Sequence, residues 1–91
     1  MKTIVITGAT SGIGFETAKL LAAKGFRSVG IGRSEQRCAR AKTAIRAAVP
    51  EAEVCYFTAD LMQQREVNHI AAVLTDYIVS SCDGQLFALI N

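Results

Sequence analysis

Apolar positions along the chain alternate between short β-type runs and helical spacing. Residues 3–7 (TIVIT) are β-branched and almost continuously apolar, the pattern of a strand buried on both faces of a parallel sheet. Ser28 to Ile31, Ala52 to Phe57 and Leu86 to Ile90 (LFALI) predict three further strands, the second diluted by Gly30 and Gly32. Helical periodicity fills the intervals. The first helix runs from Gly12 to Lys24 and stops at Gly25, a natural left-handed residue. Ser34 can cap a second helix that reaches about Val49, before Pro50, with an apolar stripe of Cys38, Ala41, Ile45 and Ala48. The third covers roughly Gln64 to Ser80 and places Val67, Ile70, Ala71, Leu74 and Ile78 on one face. Asp83-Gly84 predicts a turn into the last strand.

Strand and helix therefore alternate as βαβαβαβ, with no repeat and no linker. Short connections of this kind imply parallel strands joined by right-handed crossovers, a doubly wound α/β sheet. Three strands should run outward from the centre, and the fourth should return to the other side of the first. The 91 residues permit one domain. A sheet of this type continues beyond a fourth strand, so residues 1–91 are expected to be the N-terminal cofactor-binding portion of one Rossmann-type domain. Alone, such a portion should be molten or prone to aggregate, because Leu86 to Ile90 would leave an apolar edge uncovered.

Composition narrows the class. With 51% hydrophobic and 20% charged residues, the chain can pack a core and is not disordered. Its longest apolar runs fall far short of the ~20 residues that span a bilayer, and its start is too short for a signal peptide. A cytoplasmic protein with no membrane partner is expected. Cys38, Cys55 and Cys82 form no CxxC pair, so neither a disulfide framework nor a metal site is implied; each is expected to be a small buried residue. The net charge of +2 is too small to imply a nucleic-acid partner. Its distribution is uneven, since seven of the ten basic residues lie between Lys24 and Arg46, with only Glu35 against them.

The most informative stretch is Thr7-Gly8-Ala9-Thr10-Ser11-Gly12-Ile13-Gly14, which leaves a strand and opens a helix. Gly8 permits a tight turn, Gly12 lets a pyrophosphate approach the backbone, and Gly14 lets the helix pack closely on the first strand. Free N–H groups at the helix start, including the segment around Ile13, then face the phosphates, and Thr10 and Ser11 can add hydroxyl donors. At the end of the second strand, Gly30-Ile31-Gly32-Arg33-Ser34 offers no acid to accept from a ribose 2′-hydroxyl. Arg33 can grip a 2′-phosphate with two hydrogen bonds, Arg37 can add to the field, and Ser34 can donate a hydroxyl. NADP(H) is therefore expected ahead of NAD(H), although Glu35 opposes it slightly.

TGATSGIG, with its G-x-x-x-G-x-G spacing, resembles the glycine motif of the short-chain dehydrogenase/reductase family. The resemblance continues through Asp60-Leu61 and through Leu89-Ile90-Asn91, similar to the opening of that family's N-N-A-G motif, and so covers the whole chain. Residues 14–19 (GFETAK) are also similar to the retinol-dehydrogenase and protochlorophyllide-reductase branch. The resemblance implies that Asp60 contacts the adenine amino group, that Leu61 lies beside that ring, and that Asn91 supports the cofactor rim. It further implies hydride transfer between a nicotinamide and a carbonyl or alcohol substrate, in an enzyme that can be a homo-oligomer. The family's catalytic Y-x-x-x-K and its serine lie well beyond N-N-A-G. Tyr56 is followed four positions later by Asp60 and Tyr77 by Ser81, so neither begins that motif, and His69 stands alone; no catalytic residue is assigned. The rival reading is a noncatalytic nucleotide-binding or redox-sensing module on the same fold.

Overall fold

A computed structural model describes residues 2–81, 86 and 88–90. Its elements are β1 (Thr3–Thr7), α1 (Gly12–Ala23), β2 (Arg27–Gly32), α2 (Glu35–Ala48), β3 (Val54–Thr58), α3 (Gln64–Ser81) and β4 (Ala88–Ile90). All pairings are parallel and the strand order is β3-β2-β1-β4, the expected doubly wound arrangement with its reversal between β1 and β4.

The pleat divides the core into two. On one face Ile4, Ile6, Val54 and Tyr56 pack with Ala18 and Ala22 of α1 and Ile45 of α2. On the other, Val5, Val29, Ile31 and Phe57 pack with Ile70, Val73, Leu74 and Tyr77 of α3. Phe57 and Tyr77 meet edge to face, with ring centroids 5.6 Å apart. β1 is buried on both faces, which is why its sequence reads as continuously apolar.

Several boundaries differ from the sequence expectation. β3 begins at Val54 rather than Ala52, because the Ala52 N–H donates to the Val49 carbonyl and holds the chain in a turn after α2. β2 extends one residue further at each end than expected, through its ladders with both neighbours. Ala48 is exposed, and Val49, just past the helix, packs on the core instead. Ala71 is also exposed. The core-facing stripe of α3 is the buried Ile70 with Val73, Leu74 and Tyr77 half-buried beside it, an i, i+3, i+4, i+7 set rotated from the expected one because Tyr77 contributes its ring to the core. The regular part of β4 is Ala88–Ile90, with Leu86 outside it. Leu86, Leu89 and Ile90 are exposed. Cys38 is buried and Cys55 only half-buried, because β3 is an outer strand; Cys82 and the Asp83-Gly84 turn lie outside the described residues. Among the described residues, no helix is long and apolar enough to cross a membrane.

Ile45 is fully buried between α2 and the sheet. Ile45→Ala should therefore lower the unfolding free energy by about 2–5 kcal/mol. Thr43→Ala, at an exposed position of the same helix, should stay within ~0.5 kcal/mol. Urea titrations of the two variants against wild type, each in the full-length parent, check the difference.

Candidate cofactor-binding site

Each of the first three strands ends in a loop at the same edge of the sheet, and the three loops enclose a groove of about 670 Å³. The turn after β1 contributes Gly8 and Thr10, the end of β2 contributes Ile31 to Ser34, and the loop after β3 contributes Ala59 to Met62. Arg37 reaches in from the first turn of α2. Ligands of open parallel sheets bind outside the carboxyl ends of their strands, where this groove lies.

The turn after β1 has a backbone that only glycine adopts readily. Gly8 and Gly12 both have positive φ, +62° and +59°, with no heavy atom near the place a Cβ would occupy. A Cβ on Gly14, by contrast, would land on the Gly8 carbonyl, so this glycine sets how closely α1 approaches the turn. The two helix starts at this edge of the sheet are finished differently. Ser34 accepts a hydrogen bond from the Arg37 N–H at 3.2 Å and caps α2. The Ser11 side chain makes no capping bond to α1, whose first turn also lacks an acid. The amides at the start of α1 are thus left without a side-chain cap, beside an exposed serine hydroxyl.

The β2 end has its own geometry. Gly32 is buried, and a Cβ there would press on the Thr10 methyl at 2.5 Å and the Cys38 sulfur at 2.9 Å. Arg33, the next residue, is exposed and lines the groove, while Glu35 faces solvent. In the β3 loop, Asp60 is a turn residue as well as a lining residue. Its Oδ1 accepts from the Met62 N–H at 3.0 Å, and its own N–H donates to Glu66 Oε1 at 2.8 Å.

Of the residues singled out in the sequence, Gly8, Thr10, Arg33, Ser34, Arg37, Asp60 and Leu61 come together in the groove. Ser11 lies instead in an adjoining hollow of about 320 Å³ that it shares with Thr10, Phe15, Arg37 and Arg40. Gly12, Ile13 and Gly14 form the start of α1 without lining the groove, and the Ile13 side chain is exposed. Asn91 lies outside the described residues. His69 and Asp76 are exposed on α3, away from the groove.

Tyr56, which begins no catalytic motif, lies beneath the site, a place that no motif in the sequence marks. Its hydroxyl donates to the Ala9 carbonyl at 2.6 Å, and its ring lies over Gly30, where a Cβ would collide with it. The alternation of β3 could have signalled this, since the residue opposite a strand glycine gains the space that glycine leaves. Burial, and then the charge that nearby Cys38 would carry, pushes the phenol from its ordinary value of 10.0 up to about 12.

The short chain dehydrogenase family model matches residues 2–91. The chain belongs to the short-chain dehydrogenase/reductase family. The WW domain-containing oxidoreductase of Homo sapiens is 37% identical over 92 residues, covering 97% of this chain and 22% of that protein. That of Danio rerio is 37% identical over 70 residues, covering 77% of this chain and 17% of its own length. This chain thus spans about a fifth of the curated relatives it matches. Among solved structures, YwfH, an NADPH-dependent reductase involved in bacilysin biosynthesis, is 34% identical with a TM-score of 0.82, covering 99% of this chain and 34% of that one. An actinorhodin polyketide ketoreductase variant with NADPH is 27% identical with a TM-score of 0.79, covering 97% and 31%. The Rossmann-type fold and the oxidoreductase family are established by these matches.

The raised Tyr56 value carries a sign. The folded state favours the neutral phenol, so this group's stabilising contribution is complete below pH 10 and is lost as pH climbs from 10 towards 12. Denaturation midpoints measured across that window should fall for the wild type, and the fall should be smaller in Tyr56→Phe.

Proposed function

We propose that this chain is the NADP(H)-binding portion of a short-chain dehydrogenase/reductase that transfers hydride between a nicotinamide and a carbonyl or alcohol substrate. The observation that carries the cofactor choice is the end of β2. No acid stands there, and the space beside Gly32 is taken by Thr10 and Cys38. The first side chain to enter the groove beyond it is the exposed guanidinium of Arg33, with Ser34 and Arg37 next to it. A 2′-phosphate is suited to that cationic end, whereas an NAD-type site places a carboxylate there. Two solved relatives described as NADPH-dependent or NADPH-bound support the same choice.

The residues present suit a dinucleotide. Positive φ and open space at Gly12 leave room for phosphate oxygens, and the uncapped start of α1 offers backbone donors and the positive end of its dipole. Thr10 and Ser11 would add hydroxyl donors. Asp60 and Leu61, at the β3 side of the groove, would hold the adenine by its amino group and its face. When bound, the nicotinamide supplies or accepts the hydride. The residues of this chain orient the nucleotide half of the cofactor, and Asn91 would belong to its rim. The parent enzyme is proposed to be cytoplasmic, to act on a small molecule rather than on nucleic acid or membrane, and to assemble as a homo-oligomer.

Arg33→Ala in the full-length parent tests the reading. Losing a bidentate, charge-assisted contact should raise the dissociation constant for NADPH by roughly tenfold or more, while that for NADH changes little. Titration calorimetry with both cofactors measures this. Equal losses for the two, or a wild-type preference for NADH, would overturn the assignment.

A further inference from the structure

We infer that Tyr56 is a positioning residue for the glycine turn, and that its hydroxyl on the Ala9 carbonyl holds residues 8–11 in the shape that accepts a dinucleotide's pyrophosphate. The inference rests on the cofactor reading above and adds to it a residue outside the groove lining.

A turn built on glycines needs to be held by its surroundings, because glycine restricts its own backbone least. Gly8 and Gly12 both sit at positive φ, and no side chain of theirs can pack to fix them. Ala9, between Gly8 and Thr10, is fully buried and supplies the anchorage. Its N–H donates to the Ile31 carbonyl of β2 at 3.3 Å, and its carbonyl accepts the Tyr56 hydroxyl at 2.6 Å. One peptide group is thus tied to β2 and the next to a side chain of β3.

The second tie depends on register. Parallel pairing sets Tyr56 against Gly30, and a Cβ on Gly30 would overlap the tyrosine ring. The ring can therefore cross β2 and carry its hydroxyl from an outer strand to the turn after the central one. A phenol is protonated at physiological pH even at its ordinary value of 10.0, and burial pushes this one further up, to about 12, so the hydroxyl is able to donate. Without that hydroxyl the Ala9 carbonyl would lose its donor in a buried place.

Tyr56→Phe in the full chain keeps the ring over Gly30 and removes only the donor. Three probes are titrated against variant and wild type: NADPH, NADH and 2′-AMP, which has no pyrophosphate. The dissociation constants for both dinucleotides should rise by the same factor, roughly two- to tenfold for one lost hydrogen bond, while 2′-AMP binding holds. This pattern differs from that of Arg33→Ala, which separates NADPH from NADH. Amide hydrogen exchange of the ligand-free variant should quicken at residues 8–11 and stay unchanged in β1. Unaltered dinucleotide binding, an equal loss for 2′-AMP, or unaltered exchange in the turn would overturn the inference. Failure of the wild type to bind either dinucleotide would overturn the cofactor reading, and this inference with it.

Discussion

One face of β2 carries only Ser28, Gly30 and Gly32, and the arrangement of the site depends on how little space they occupy. Ser28 is fully buried, and its hydroxyl donates to the Ala18 carbonyl of α1 at 3.0 Å, so the helix backbone rests almost on the strand. Gly30 makes room for the Tyr56 ring, and Gly32 for Thr10 and Cys38. Larger side chains on this face would lift α1 and the turn that precedes it away from the sheet. Close-packed interiors do not absorb such volume without moving their neighbours. The glycines that weaken β2 as a strand are the ones that let the turn, the two helices and the outer strand converge.

A second constraint comes from the opposite side of that turn. Gly14 lies so near the Gly8 carbonyl that a single added carbon would collide with backbone, which cannot rotate aside. Gly8 and Gly12 contribute conformation, Gly14 proximity, and Ala9 the hydrogen bonds that hold the turn to its neighbours. These are separate physical jobs at neighbouring positions. The two helix starts share one edge of the sheet but differ in their caps: α2 is closed by Ser34, whereas Ser11 leaves α1 open toward the place where phosphates would lie.

Charge follows the same geometry. Most basic side chains from Lys24 to Arg46 lie on solvated surface, but Arg33 and Arg37 border the groove, and Arg37 with Arg40 borders the adjoining hollow. The position of Arg33 follows from the end of β2, where the buried Gly32 is succeeded directly by an exposed residue.

Much was legible in the chain because local rules sufficed. Short β-branched apolar runs and helical periodicity located the described elements, the glycine spacing marked the turn after β1, and alternation of strand and helix dictated parallel topology, since parallel strands need crossovers. The sequence by itself also placed Arg33 and Asp60 at the ends of their strands. What it could not determine were relations between elements distant along the chain. The exposure of Ala71 and the partial burial of Tyr77 depended on which way α3 rolled against Phe57, which helical period alone leaves open within one residue step. The pairing of Gly30 with Tyr56 required the β2–β3 register, and the bond from Tyr56 to Ala9 links residues 47 positions apart. Period-2 alternation says which face a side chain takes but not which strand lies beside it or at what offset, and those were decided only when the sheet closed around the glycines of β2.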